Sequence, residues 1–154
     1  MKPTFYSADS YVIGDSIGFL IGQAQLRLHD ALNAELAPTG ISWPQWKVLM
    51  HVYYKRAETA ADLSRCTAND TGSMTRMVDR LEEKGFLRRV RSEADRRQVK
   101  LELTDAGRAL MPTMVQAVVD VLNNQLEGFD QAELDLFKSF LRRMVANADA
   151  RKAE

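Results

Sequence analysis

Apolar residues recur at steps of three and four through the first quarter of the chain: Ile13, Ile17, Leu20, Ile21, Ala24, Leu28, Ala31 and Leu32. That period predicts an amphipathic helix from about Gly14 to Leu36. Phe19 and Leu26 lie off the stripe, so this helix calls for burial on more than one side. Pro38, Thr39 and Gly40 break it. Ser42 followed by Gln45 has the spacing of a capping box, and Ile41 with Trp46 fits a hydrophobic staple. A second helix follows, with Trp46, Leu49, Met50 and Tyr53 on its inner face, fading near Lys55. A short third helix starts at Thr59, with Asp62 three residues on, and ends near Cys66. A fourth takes Asn69 or Asp70 as its N-cap. Its apolar positions, Met74, Met77, Val78 and Leu81, form an i, i+3, i+4, i+7 set. Ser73, Arg76, Asp79, Arg80 and Glu83 occupy the other face, and Gly85 closes the helix.

The period then changes to two. Val99, Leu101 and Leu103 alternate with Lys100 and Glu102, which predicts a half-buried strand. Phe86 to Arg91 is its antiparallel partner, and Ser92 to Arg97 is the polar connection. Thr104 caps a long fifth helix running to about Glu127. Pro112 inside it is expected to bend the helix or split off its first turns. After Gly128, Asp130 with Glu133 opens a sixth helix with Leu134, Phe137, Leu141, Met144 and Val145 on one face. The polar tail after Asn147 is expected to fray.

Composition narrows the class. The chain has 154 residues, 45% hydrophobic and 27% charged, about one globular domain's worth. Cys66 is the single cysteine, which excludes an internal disulfide and suits a reducing cytoplasm. No segment reads as a signal peptide or a membrane span. Net charge is zero, with 21 basic and 21 acidic side chains, but the charge is unevenly spread. Lys84 to Lys100 carries Lys84, Arg88, Arg89, Arg91, Arg96, Arg97 and Lys100 against Glu93 and Asp95. A local basic run of this kind is the footprint of a polyanion-binding element, or else of a solvated, arginine-rich strand pair.

The order helix, helix, hairpin over Thr59 to Leu103 is that of a winged helix-turn-helix. A major groove about 12 Å wide admits one α-helix, whose N-terminal half must reach the base edges. Thr71, Gly72 and Ser73 are small enough for close backbone approach, and Arg76 on the same face can donate two bonds to a guanine. Arg96 and Arg97 at the hairpin tip are placed to reach a flanking minor groove or phosphates.

These residues resemble the MarR (multiple antibiotic resistance regulator) transcription factors of bacteria and archaea. The resemblance spans roughly residues 14 to 146 and is most specific in TGSMTRMVDRLEEKGFLRRVRSEADRRQVKLELTDAGRAL, residues 71 to 110. There DRLEEKG ends the recognition helix, DRR at Asp95 to Arg97 is the wing-tip motif, and LTDAGR opens the long helix. The resemblance implies a mainly α fold with a small β-hairpin wing: a winged helix-turn-helix lobe at 42–104, with dimerisation helices at 1–41 and 105–154. It implies a homodimer, which accounts for the surplus apolar surface at both chain ends, on a pseudo-palindromic double-stranded operator. Ser73 and Arg76 would read bases, helped by Thr71 and Gly72. Thr75 and Arg80 would face phosphates, Arg96 would enter the minor groove, and Asp95 and Arg97 would hold the wing in shape or touch backbone. Arg76 and Arg80 have a plainer alternative, pairing with Asp79 and Glu83 on a solvated face. Arg88 and Arg89 read as ordinary strand residues.

Family members commonly bind small phenolic or aromatic carboxylate ligands between the dimerisation helices and the DNA-binding lobe, which lowers DNA affinity. By that pattern this chain is a repressor released by such an effector. His29, Trp43, Trp46, Met50, Tyr53, Met74 and Met77 are the lining candidates, the alternative being that they are core. Some relatives sense oxidants through a cysteine, but Cys66 reads as a buried, inert thiol rather than a sensor. Nothing in the inventory supports an enzyme: two histidines, one cysteine, no HExxH, GxSxG or Walker loop, no metal-ligand spacing and no cofactor motif. The remaining alternative is a helical interaction module without DNA binding. Salt dependence of duplex binding separates it from a DNA reader.

Overall fold

The computed structural model describes residues 4–67, 70–91 and 98–152. The helices are α1 (Ile17–Leu36), α2 (Trp43–Tyr53), α3 (Ala60–Thr67), α4 (Thr71–Glu83), α5 (Asp105–Gln125) and α6 (Gln131–Lys152). The strands β1 (Leu87–Arg91) and β2 (Val99–Leu103) lie between α4 and α5 and pair antiparallel, with Leu87 opposite Leu103 and Arg91 opposite Val99. The chain divides into two units, Met1–Val121 and Leu122–Glu154, with the boundary inside α5.

Local signals set most element ends. Ser42 and Gln45 form the expected capping box, each side chain bonded to the other's backbone N–H. Thr59 and Asp62 repeat the device: Asp62 N–H donates to the Thr59 hydroxyl (3.1 Å) and Thr59 N–H to the Asp62 carboxylate (3.0 Å). The fourth helix takes Asp70 as its cap, and the Ser73 N–H donates to its Oδ1 at 2.9 Å. The first helix starts later than the periodicity indicates. Ile13–Asp15 is a 3-10 turn, and Ser16 accepts from Phe19 N–H, so regular helix opens at Ile17. At the end of α2, Lys55 takes a left-handed backbone (φ 53°). There Arg56 N–H bonds His51 carbonyl (2.8 Å) and Lys55 N–H bonds Val52 carbonyl (3.1 Å), which closes the helix where glycine is usual.

In the first unit, the core joins Leu32 and Leu36 of α1, Val48, Leu49 and Val52 of α2, Leu63 of α3, Met74, Val78 and Leu81 of α4, Leu87, Leu101 and Leu103 of the hairpin, and Met111, Met114 and Val118 of α5. Val99, expected to face inward, is exposed at the outer end of its strand. The second edge of β2 is partly covered, because Leu101 N–H donates to Glu58 carbonyl at 2.8 Å. Ile17, Phe19, Leu20 and Leu26 of α1 remain exposed in the single chain.

Two expectations need correction. Pro112 does not split α5, which is one helix from Asp105 to Gln125; the proline only deprives the Arg108 carbonyl of its i+4 donor. The chain after Asn147 stays helical rather than fraying, because α6 continues to Lys152. In the second unit, Asp130 and Glu133 cap α6 reciprocally (2.8 and 3.0 Å), and the guanidinium of Arg143 lies over Phe140. Among the described side chains of α6 none is buried in the single chain, and Leu136, Phe137, Phe140, Met144 and Val145 are exposed.

The junction between β2 and α5 allows no side chain at one position. Thr104 N–H donates to Phe86 carbonyl, the Thr104 hydroxyl donates to Gly85 carbonyl, and Gly107 N–H donates back to that hydroxyl. The turn brings Gly107 so close that a Cβ there would lie 2.2 Å from the Phe86 carbonyl oxygen. The obstacle is backbone, so the helix must move to relieve it. Gly107→Ala is therefore expected to destabilise the fold by about 1–3 kcal/mol, read as a lower midpoint in urea unfolding.

Candidate nucleic-acid interface

Helix α4 is divided lengthwise. Met74, Val78 and Leu81 are fully buried, while Thr71, Gly72, Thr75, Arg76 and Arg80 are exposed and Ser73 is half-buried. At 100° per residue, Arg76 stands nearly opposite the buried stripe. Ser73 and Arg80 lie to one side of it, Asp79 and Glu82 to the other. Of the expected N-terminal readers, Gly72 and Ser73 flank Arg76, whereas Thr71 is exposed at the helix start, about 140° around the helix from Arg76. Asp95, Arg96 and Arg97 lie outside the described residues.

The charges on this face are sorted. Arg76 Nη2 meets the Ser73 hydroxyl at 3.4 Å. Among the described residues, neither Arg76 nor Arg80 has a carboxylate within ion-pair distance. The plainer alternative, pairing with Asp79 and Glu83, is not what the structure adopts. Asp79 accepts instead from Arg89 of β1 at 2.7 Å, and Glu82 accepts from the same guanidinium. Burial opposes the charge on Arg89, but the bonds from Asp79 and Glu82 outweigh it and raise its pKa. Arg88 pairs across the hairpin with Glu102 (2.8 Å), and Lys100 pairs with Glu58 (2.6 Å). The Thr75 hydroxyl donates to the Thr71 carbonyl one turn back (2.9 Å).

A cavity of about 280 Å³ opens beside the Arg76–Arg80 flank, lined by Ser42, Pro44, Gln45, Ser73, Arg76, Met77 and Arg80. Its floor is held from the far end of α4. Lys84 Nζ donates to Gly40 carbonyl (2.5 Å) and to Gln45 Oε1 (3.2 Å), tying the helix end to the first turn of α2. From the sequence, Gln45 reads only as a helix cap, Lys84 only as part of a basic run and Arg89 only as a strand residue, because these partners sit on other elements.

The aromatic residues expected to line an effector site form a packed group. Trp43 and Trp46 stack at 4.9 Å between ring centres, and His29 lies 6.1 Å from Trp43. The indole N–H groups of both tryptophans are buried, with no hydrogen-bond partner among the described residues. Met50 and Tyr53 are half-buried against the core. Met74 is a fully buried core residue, and Met77 faces the cavity on α4.

Cys66 is exposed, not buried as expected, because the last turn of α3 turns it outward; its sulfur lies 4.0 Å from the Arg56 carbonyl. The neighbouring Arg65 is paired with Asp62. Among the described residues, no helix is long and apolar enough to cross a membrane.

Fold and surface define a winged helix-turn-helix protein. The model of the MarR family matches residues 41–99. The multiple antibiotic resistance protein MarR of Escherichia coli K12 is 33% identical over 110 residues, covering 71% of this chain and 76% of that protein. A mutant of E. coli MarR in complex with operator DNA superposes with a TM-score of 0.78 at 28% identity, covering 88% of this chain and 99% of that one. Bordetella bronchiseptica BpsR, whose DNA binding is regulated by 6-hydroxynicotinic acid, gives a TM-score of 0.79 at 26% identity, covering 88% and 96%. The chain belongs to the MarR family of transcriptional regulators.

The helix caps make the lobe acid-sensitive. The Thr59 hydroxyl bond is the largest cause holding Asp62 below the ordinary carboxylate value of 3.8, followed by the Glu58 and Thr59 N–H bonds and Arg65. Asp70 is lowered likewise, first by Ser73. A carboxylate with a depressed folded pKa stabilises the fold above its unfolded value, and that contribution is lost as pH falls through the folded one. Thermal unfolding midpoints should therefore drop as pH falls below about 4. In Asp62→Asn, whose cap cannot titrate, the drop should be shallower.

Proposed function

We propose that this chain is a homodimeric, non-catalytic regulator in the cytoplasm that binds a pseudo-palindromic operator in duplex DNA and acts as a repressor. The observation that carries this reading is the open face of α4, where Arg76 and Arg80 form no ion pair among the described residues and lie away from a fully buried stripe. Ser73 and Arg76 read base edges, with Thr71 and Gly72 permitting close backbone approach. Thr75 and Arg80 face phosphates. Arg96 enters the minor groove, and Asp95 and Arg97 shape the wing. Residues 42–104 form the DNA-binding lobe, and the segments 1–41 and 105–154 form the dimer. Exposed apolar side chains on α1 and on α6 support that assignment. Two copies place half-site centres about 10 base pairs apart. The operator complex of the related E. coli protein supports the same docking.

The test is binding to duplexes from the chain's own promoter region across a salt series. Affinity should fall steeply with salt. Arg76→Ala should cost about 1–3 kcal/mol on the preferred sequence and relax discrimination at the position it reads. A parent-like Arg76→Ala chain, or a parent that ignores every fragment at low salt, overturns the reading.

A second part of the proposal concerns release. The stacked tryptophans carry two unmatched N–H donors beside His29, a setting suited to a planar aromatic acid or phenol. Relatives regulated by 6-hydroxynicotinic acid or bound to p-coumaroyl-CoA support the class. Trp43 and Trp46 are the chain's two tryptophans, so indole emission reports on this place directly. Titration with 4-hydroxybenzoate should change that emission and weaken operator binding over the same concentration range. Unchanged emission and affinity at millimolar 4-hydroxybenzoate would remove this part.

A further inference from the structure

Asp79 stands three residues beyond Arg76 on α4, the separation at which opposite charges pair along a helix. It turns away instead. Its Oδ1 accepts from Arg89 Nη2 at 2.7 Å. Glu82 is drawn to the same flank, where its carboxylate accepts from Arg89 Nη1 and from the Arg89 backbone N–H at 3.1 Å. The backbone bond fixes Arg89 in register with α4, so the guanidinium reaches both acids from β1. Its neighbour Arg88 points to the other side of the hairpin and is paired with Glu102, so it cannot substitute. With Asp79 held, Arg76 Nη2 meets the Ser73 hydroxyl at 3.4 Å, and the carboxylate it still feels is that of the cap residue Asp70.

We propose that Arg89 is a positioning residue for DNA reading: by holding Asp79 on the hairpin-facing flank of α4, with Glu82 as the second acid on the same guanidinium, it keeps the Asp79 carboxylate off Arg76. The inference rests on the DNA-binding reading above and adds a residue that does not itself touch the base edges. Without Arg89, Asp79 falls back within reach of Arg76 and competes with the base for the same guanidinium. Arg89 is thus a counter-charge for Asp79, the acid that would otherwise silence the reader.

The experiment is a double-mutant cycle on the full-length chain with a promoter duplex that the parent binds. Arg89→Ala should weaken binding about threefold per half-site, about tenfold for the dimer, the size of an exposed ion pair. Asp79→Asn in the same chain should return the affinity to within about twofold of Asp79→Asn alone. The loss should also be much smaller when Arg76→Ala is already present. The salt slope should stay at the parent value, because no phosphate contact is removed. A loss of equal size in the Asp79→Asn and parent backgrounds, or a lowered salt slope, overturns the inference and makes Arg89 a direct phosphate contact. If Arg89→Ala does not fold, Arg89→Lys replaces it. One ammonium can hold only one of the two acids, so a smaller loss is expected, again removed by Asp79→Asn; a loss that persists there overturns the inference. A parent chain that binds no duplex overturns the DNA reading itself, a different result from a parent that binds and an unpatterned cycle.

Discussion

The burial of Met74, Val78 and Leu81 is the constraint from which the surface chemistry follows. All three are fully buried, and burial of such side chains stabilises by about 1.5–3 kcal/mol each. That is enough to fix the roll of a 13-residue helix. Once the roll is fixed, Ser73, Arg76 and Arg80 have no choice of face. Both ends of the helix are then pinned by polar contacts, Asp70 on the first N–H groups and Lys84 on Gly40 and Gln45. A recognition helix must present side chains within a few tenths of an ångström to distinguish base edges, and an apolar stripe alone leaves its axial position soft. The polar ties at its two ends supply what the stripe lacks.

Charge counting along the sequence locates a basic lobe but does not distinguish a paired cation from an unpaired one. The basic run from Lys84 to Lys100 is where the positive charge concentrates, yet the structure commits much of it internally. Arg88 is tied to Glu102, Arg89 to Asp79 and Glu82, Lys100 to Glu58, and Lys84 to two oxygens. Each exposed pair contributes only about 0–1 kcal/mol of stability. Their larger effect is on the field, because a neutralised pair neither attracts nor repels a phosphate strongly beyond a Debye length. Arg76 and Arg80, which form no ion pair among the described residues, lie before that run, on a helix whose formal charge is nearly balanced.

What could be read in the sequence was short-range. The capping pairs Ser42/Gln45, Thr59/Asp62 and Asp130/Glu133 announce themselves three residues apart, and the 3.6-residue and two-residue periods place every long element. The misplacements have local causes of a different kind. Ser16 outcompetes the periodicity at the start of α1, and a single missing N–H at Pro112 is too weak to interrupt 21 residues of helix. The long-range facts left no trace in spacing. Gly107 is recognisable within LTDAGR only as part of a phrase; its physical reason is a carbonyl oxygen 21 residues earlier, against which no Cβ fits. Arg89 reads as a strand residue because its partners lie on another element, and Cys66 reads as buried because nothing local says which way the last turn of α3 faces.

The first turn of α2 links the two halves of the proposed function. Trp43 lies beside α1, where the Asn33 side chain accepts from the Trp43 backbone N–H at 2.9 Å and donates to the His29 carbonyl, and Trp46 stacks on Trp43. Between them, Gln45 faces the other way and receives Lys84 from the end of α4. One turn therefore carries the aromatic group on one side and the anchor of the recognition helix on the other. A ligand changes operator affinity only by favouring one placement of such a turn over another, and only by its difference in affinity for the two. Two unmatched indole N–H groups give a ligand something to gain in a placement that exposes them. The capping box at Ser42 and Gln45 limits how far that turn can move before α2 loses its start. The geometry therefore favours small displacements of α4, read out through closely spaced contacts on DNA, over any large rearrangement of the lobe.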